Sequence, residues 1–83
     1  MTTPRSVLIE ELSAVAKVNL DHLDDAAVIR GDLPIDSLAL LEVFVRVEER
    51  LGIELDEETL SNARTIGDLV ACIAAAPKLE DRP

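Results

Sequence analysis

Aromatic side chains, cysteine, histidine, glycine and positive charge are all scarce in this 83-residue chain. Phe44 is the single aromatic residue in a sequence that is 48% hydrophobic, so the core must be built from Leu, Val, Ile and Ala. That favours packed helices over a sheet, because strands draw on aromatic and β-branched side chains. Cys72 stands alone, which excludes an internal disulfide and a cysteine metal cluster. With 8 basic residues against 17 acidic ones the net charge is −9. Such a chain repels phosphate backbones and anionic membranes and attracts basic protein surfaces, so neither nucleic acid nor membrane is expected as a partner. No stretch reaches the roughly 20 apolar residues of a membrane span. Glu10 and Glu11 interrupt the one apolar run near the N-terminus, so no signal peptide is expected and the location should be cytoplasmic. The length fits one small domain with one modest core.

The same scarcities weaken several enzyme readings. Ser37, His22 and Asp36 supply the residue types of a hydrolase triad, but there is no Gly-x-Ser-x-Gly elbow and little volume for a substrate pocket. His22, the one histidine, sits in an acidic loop and reads as a solvated surface residue. Asp21, Asp24 and Asp25 lack the Asp-x-Asp-x-Asp-Gly pattern and closing glutamate of a calcium loop, so a solvated charge run is expected there. Cys72 lies among apolar residues and reads as a buried thiol.

What remains is helical periodicity. The first segment runs from about Thr3 to Leu20, with Thr3 able to cap and Pro4 suited to the first helical position. Leu8, Leu12, Val15 and Asn19 lie on one stripe, flanked by Ile9, Ala16 and Leu20, and this stripe should face the core. From Asp21 to Asp36 the pattern becomes irregular, longer than the usual connection of about 2–8 residues in helical bundles. Leu23, Val28, Ile29, Leu33 and Ile35 should lay this loop down on the core. Whether Val28 and Ile29 form a helical turn or an extended piece is open from the sequence. Ser37 to Leu51 is helical with no Gly or Pro inside, and Gly52 suits the left-handed residue that ends it. Asp56 can cap a short turn, Glu57 to Asn62, anchored by Leu60. Thr65 and Asp68 form a capping box for a last helix, which turns Ile66, Leu69, Val70 and Ile73 inward and runs to about Ala76 before Pro77. The expected architecture is all-α: a small four-helix bundle of three longer helices and one short one, with a long loop between the first two. Residues 1–77 should form the domain and 78–83 a disordered tail.

The rest is organised around Asp32-Leu33-Pro34-Ile35-Asp36-Ser37-Leu38. Asp36 can accept hydrogen bonds from the free amides of the following helix, which presents the Ser37 hydroxyl at a rigid, exposed end. Pro34 stiffens the approach. Placed at about 100° per residue from Ser37, Leu40, Val43, Phe44, Val47 and Leu51 form one apolar group and Leu38, Leu41 and Val45 a second. Glu42, Glu48 and Glu49 edge the second group, and Arg46 and Arg50 lie behind. A helix on the rim of a small bundle needs one apolar stripe. Deeper burial of the whole helix would explain two; so would a docking strip with an apolar centre and a charged rim.

Asp36-Ser37-Leu38 at the start of the second helix of a small, acidic, four-segment chain resembles the Asp-Ser-Leu motif of the acyl carrier protein family. The resemblance covers nearly the whole chain. It implies that Ser37 carries 4′-phosphopantetheine, transferred from coenzyme A by a phosphopantetheinyl transferase, with Asp36 and Leu38 beside the attachment point. It implies carriage of acyl groups as thioesters, not catalysis, by a monomer that visits separate acyl-transferring and condensing enzymes. With it the docking reading is preferred: Leu38, Leu41 and Val45 meet partners through apolar contact, and Glu42, Glu48 and Glu49 meet their basic patches. Fatty-acid, polyketide and aminoacyl or peptidyl cargo all remain open, and an unmodified helical interaction module is the competing class. Pro34 stands where the family commonly has glycine, so the loop entering the helix should differ from the family norm. Arg46 and Arg50 should shift partner choice by making the helix less acidic.

Overall fold

The computed structural model describes residues 2–79. Every regular element among them is helical: α1 (Pro4–Ala16), α2 (Ile29–Asp32), α3 (Ser37–Leu51), α4 (Glu57–Asn62) and α5 (Ile66–Ala75). The all-α expectation holds, and α1, α3 and α5 are the three longer helices. The count is five rather than four, because the long connection contains the one-turn α2. Val28 is extended and bridges Thr65, while Ile29 opens the turn and is buried. Both conformations left open by the sequence are therefore used, one residue apart.

The caps explain most boundaries. Thr3 accepts from the Ser6 amide at 3.1 Å, and the Ser6 hydroxyl takes the Thr3 amide at 2.9 Å. Thr65 and Asp68 make the expected reciprocal pair. Gly52 ends α3 at φ 64°, a conformation a Cβ would strain. α1 stops earlier than its periodicity suggests, at Lys17 with φ 61°. A left-handed lysine costs about 1–2 kcal/mol. The turn it makes returns Leu20 to the core, where burial of a leucine contributes about 1.5–3 kcal/mol. The Ser13 side chain fixes that return by accepting from the Leu20 amide at 3.0 Å.

α1 packs chiefly on α3 and also on α5, and α4 rests on α5. Val7, Leu8 and Leu12 of α1 meet Val43, Phe44 and Val47 of α3 and Ile66, Leu69 and Ile73 of α5 in one core, joined by loop residues Leu20, Leu23, Ala27 and Leu33. The long connection is thus part of the core. It is also pinned from outside: Arg5 donates to the Leu23 carbonyl and pairs with Asp25 at 2.7 Å. The Gly67 amide donates to the Asp25 carbonyl at 2.9 Å, so close that a Cβ on Gly67 would lie 3.1 Å from it.

Two expectations change in detail. Asp56 precedes α4 but makes no backbone cap; its carboxylate accepts from the Thr59 hydroxyl at 2.8 Å. Lys78 and Leu79, expected in the disordered tail, fold back on the α3–α4 turn. Lys78 bridges Ile53, and the Leu79 amide donates to the Gly52 carbonyl at 2.9 Å. Residues 80–83 of that tail lie outside the described residues. No helix among the described residues is long and apolar enough to cross a membrane.

Candidate functional site

Ser37 is the first residue of α3. Asp36 in front of it is extended (φ −89°, ψ 176°) and its Oδ1 accepts from the Ala39 amide at 2.8 Å. Occupied in this way, Asp36 holds the helix start and leaves the Ser37 side chain exposed. No hydrogen bond to the Ser37 hydroxyl is found among the described residues. Pro34 acts as its ring dictates: Leu33 before it is extended (φ −101°, ψ 133°) and buried, and α2 ends at Asp32. The hydroxyl thus stands at the end of a 15-residue helix, on a loop anchored by Leu33. It has a fixed base and a free oxygen.

Two surfaces meet at Ser37. On one side an open groove of about 200 Å³ runs between α3 and α4. Its walls are Leu40, Leu41, Phe44 and Leu60, and its polar members are Ser37, Arg30, Glu57 and Ser61. On the other side lies the second stripe, where Leu38, Leu41 and Val45 are 76%, 52% and 50% exposed. Val43, Phe44 and Val47 of the first stripe are buried. Deeper burial of the helix is therefore not the reason for two stripes.

The charged rim divides. Glu49 and Glu42 are exposed, and Glu42 pairs with Arg46 at 3.3 Å. Glu48 is half-buried and accepts from the Leu55 amide at 2.9 Å, so it fastens the turn after Gly52. Arg46 and Arg50 are occupied as well. Arg50 lies 3.0 Å from Glu10 and 2.9 Å from Glu11, and Arg46 3.6 Å from Glu11. Bonding to Glu11 and then Glu10 raises the Arg50 pKa above its ordinary value. These arginines, placed by the sequence pattern on the back of the helix, join α3 to α1 while remaining exposed.

The groove was not legible as a unit. Arg30 sits on a four-residue helix too short to show periodicity, and Leu40 and Phe44 read simply as core. Glu57, Leu60 and Ser61, at positions i, i+3 and i+4 of α4, were the available signal for its far wall. The other chemical groups stand apart. His22 is exposed in the loop after α1. Asp24 accepts from the Ala26 amide and Asp25 pairs with Arg5. No group of three or more potential ligands converges on a metal position among the described residues. Cys72 is half-buried behind α4, and burial followed by the charge of Asp68 raises its pKa.

A family model described as "Phosphopantetheine attachment site" matches residues 6–73. The acyl carrier protein MbtL of Mycolicibacterium paratuberculosis is 41% identical over 61 residues, covering 74% of this chain and 68% of that protein. The acyl carrier protein of Acidothermus cellulolyticus is 33% identical over 69 residues, covering 83% of this chain and 82% of the relative. The meromycolate extension acyl carrier protein of Mycolicibacterium aurum is 44% identical over 50 residues, which are 60% of this chain and 48% of that longer protein. The chain belongs to the phosphopantetheine-binding acyl carrier protein family. Its cofactor is covalently bound 4′-phosphopantetheine. The residues around the exposed helix start fit such a group: an unbonded hydroxyl as anchor, room beside it, and an apolar wall along which an arm can lie.

Proposed function

We propose that Ser37 is the attachment residue and that the protein carries acyl intermediates between separate enzymes of a fatty-acid or polyketide-type synthesis. The observation that carries this is the free, exposed Ser37 hydroxyl at a start of α3 held by Asp36 and Leu33. When bound through a phosphodiester, the arm supplies a terminal thiol that holds acyl groups as thioesters. The protein's own part is to present the arm and to dock. Tethering raises the local concentration of cargo at each enzyme visited.

Residues 1–77, closed by the return of Lys78 and Leu79, make up the carrier domain of this reading. Helices α1, α3, α4 and α5 are its bundle, and α2 is a turn of the long connection. It works as a cytoplasmic monomer. Leu38, Leu41 and Val45 supply apolar contact to the phosphopantetheinyl transferase and to acyl-transferring and condensing enzymes. Glu42 and Glu49 meet the basic patches of those partners, with Glu48 contributing through its exposed portion. Such docking is weak, fast and sensitive to salt, as a carrier that must leave each partner requires.

The test is an intact mass after incubation with coenzyme A, Mg²⁺ and a broad-range phosphopantetheinyl transferase, beside Ser37→Ala. One phosphopantetheine adduct on the wild type and none on the variant is the expected outcome. A folded wild type that stays unmodified with several transferases would instead favour the unmodified interaction module.

A further inference from the structure

Five arginines fall in helices or their connections near the core, and their partners differ. Arg5, Arg46 and Arg50 each form ion pairs. Arg30 and Arg64 form none among the described residues, in a chain whose acidic side chains outnumber its basic ones by 17 to 8. Arg64 nevertheless lies beside Asp68, whose carboxylate accepts the Arg64 backbone amide at 2.9 Å. Arg30 has no such companion. Its groove contains Glu57, which makes no ion pair with it, and the Ser37 hydroxyl.

The base of the Arg30 side chain is fixed. Ile29 before it is buried, and its amide donates to the Arg64 carbonyl at 2.9 Å. Asp32 closes the turn by accepting from the Val28 amide at 2.8 Å. Arg30 itself takes the kinked conformation φ −94°, ψ 32° inside that closed turn. Its side chain therefore starts from one place and lines the same groove as Ser37.

A phosphodiester on Ser37 would add a negative charge next to Asp36 and in the groove of Glu57. The amides of the first turn of α3 attenuate that repulsion. A guanidinium offers more, since its planar fork matches two phosphate oxygens. We propose that Arg30 is a positioning residue that pairs with the phosphodiester joining the arm to Ser37. The pairing turns the root of the arm toward the α3–α4 groove, which shares Leu41 with the apolar strip, and away from Leu38 and Val45, which are left open for partners. The proposal rests on Ser37 being the attachment residue.

Wild type, Arg30→Ala, Arg30→Gln and Arg64→Ala should each be loaded and their masses checked against Ser37→Ala. An adduct missing from the wild type, or persisting in Ser37→Ala, would defeat the Ser37 reading before Arg30 is tested. On the loaded proteins two quantities are read: the ³¹P resonance of the phosphodiester at low salt and at about 1 M salt, and the difference in Tm between the apo and loaded forms. The wild-type resonance should be displaced from that of Arg30→Ala at low salt, and the displacement should collapse at high salt. Loading should be less favourable to Tm in Arg30→Ala than in the wild type by about 1–5 °C. Arg30→Gln, which keeps most of the stem, should reproduce Arg30→Ala, and Arg64→Ala should behave as wild type. Coincident ³¹P resonances and equal Tm differences in wild type and Arg30→Ala would overturn the pairing. So would Arg64→Ala matching Arg30→Ala, which would mean a diffuse field, or Arg30→Gln retaining the wild-type resonance.

Discussion

The two flanks of α3 carry similar residue types and use them in opposite ways. On the flank toward α1, Arg46 and Arg50 are engaged by Glu10 and Glu11, with Glu11 only 13% exposed. That flank is a joint between two helices. On the other flank, Leu38, Leu41 and Val45 lie open beside the exposed Glu42 and Glu49. A helical wheel weighs the charges of both flanks alike. The fold does not: Arg50 is taken up by Glu10 and Glu11 of α1, and Arg46 is shared between Glu11 and Glu42, so among the exposed glutamates of the open flank Glu49 is the one left without an ion pair among the described residues.

The contrast is broken most forcefully through stability. Phe44 and Leu41 are three residues apart, the first 7% exposed and the second 52%. Phe44→Ala should cost about 3–5 kcal/mol, and Leu41→Ala no more than about 0.5 kcal/mol, as read by denaturant unfolding. Transfer of acyl groups to partner enzymes should respond to Leu41→Ala all the same. Equal stability losses would mean that the two stripes are both core.

A smaller effect separates the glutamates. Glu48→Ala removes the acceptor of the Leu55 amide and should cost about 1 kcal/mol, whereas Glu49→Ala should leave stability nearly unchanged. Charge reversal at Glu48 therefore mixes docking with folding, and Glu49→Lys is the cleaner probe of partner contact. Should Glu49→Lys leave transfer rates and their salt dependence untouched, the acidic rim would not be a docking element.

The smallest effect belongs to the joint itself. Arg50→Ala should lower Tm less than Glu48→Ala does, and the difference from wild type should fade at about 1 M salt, because exposed ion pairs are screened. A loss that persisted at high salt would point to packing by the arginine stem instead.

Local signals carried much of the fold. Thr3, Asp36, Gly52 and the Thr65–Asp68 pair each act on amides or carbonyls within a few residues, and each was readable. The two stripes of α3 were readable for the same reason, since 15 residues give several full turns. What escaped the sequence depends on distant partners. Lys17 ends α1 because Leu20 is drawn into the core, and α2 is set in place by the bridge between Val28 and Thr65, in which the Ile29 amide donates to the Arg64 carbonyl and the Ile66 amide to the Ala27 carbonyl. Asp56 satisfies the capping pattern and yet bonds a side chain. At the site, Ser37 and Asp36 were legible, but the inward bond of Glu48 and the placing of Arg30 required the α3–α4 turn and α2 to be in position.

The return of Lys78 and Leu79 to Gly52 and Ile53 decides where anything appended to this fold would sit. It fastens the C-terminal side of the domain to the far end of α3, about 20 Å from Ser37 along the helix. A fluorophore, an affinity handle or a fused neighbour placed after Leu79 would leave from the pole opposite Ser37. Immobilised there, the protein would hold Ser37 and the open flank of α3 toward solution, in the orientation that a surface-based binding assay requires.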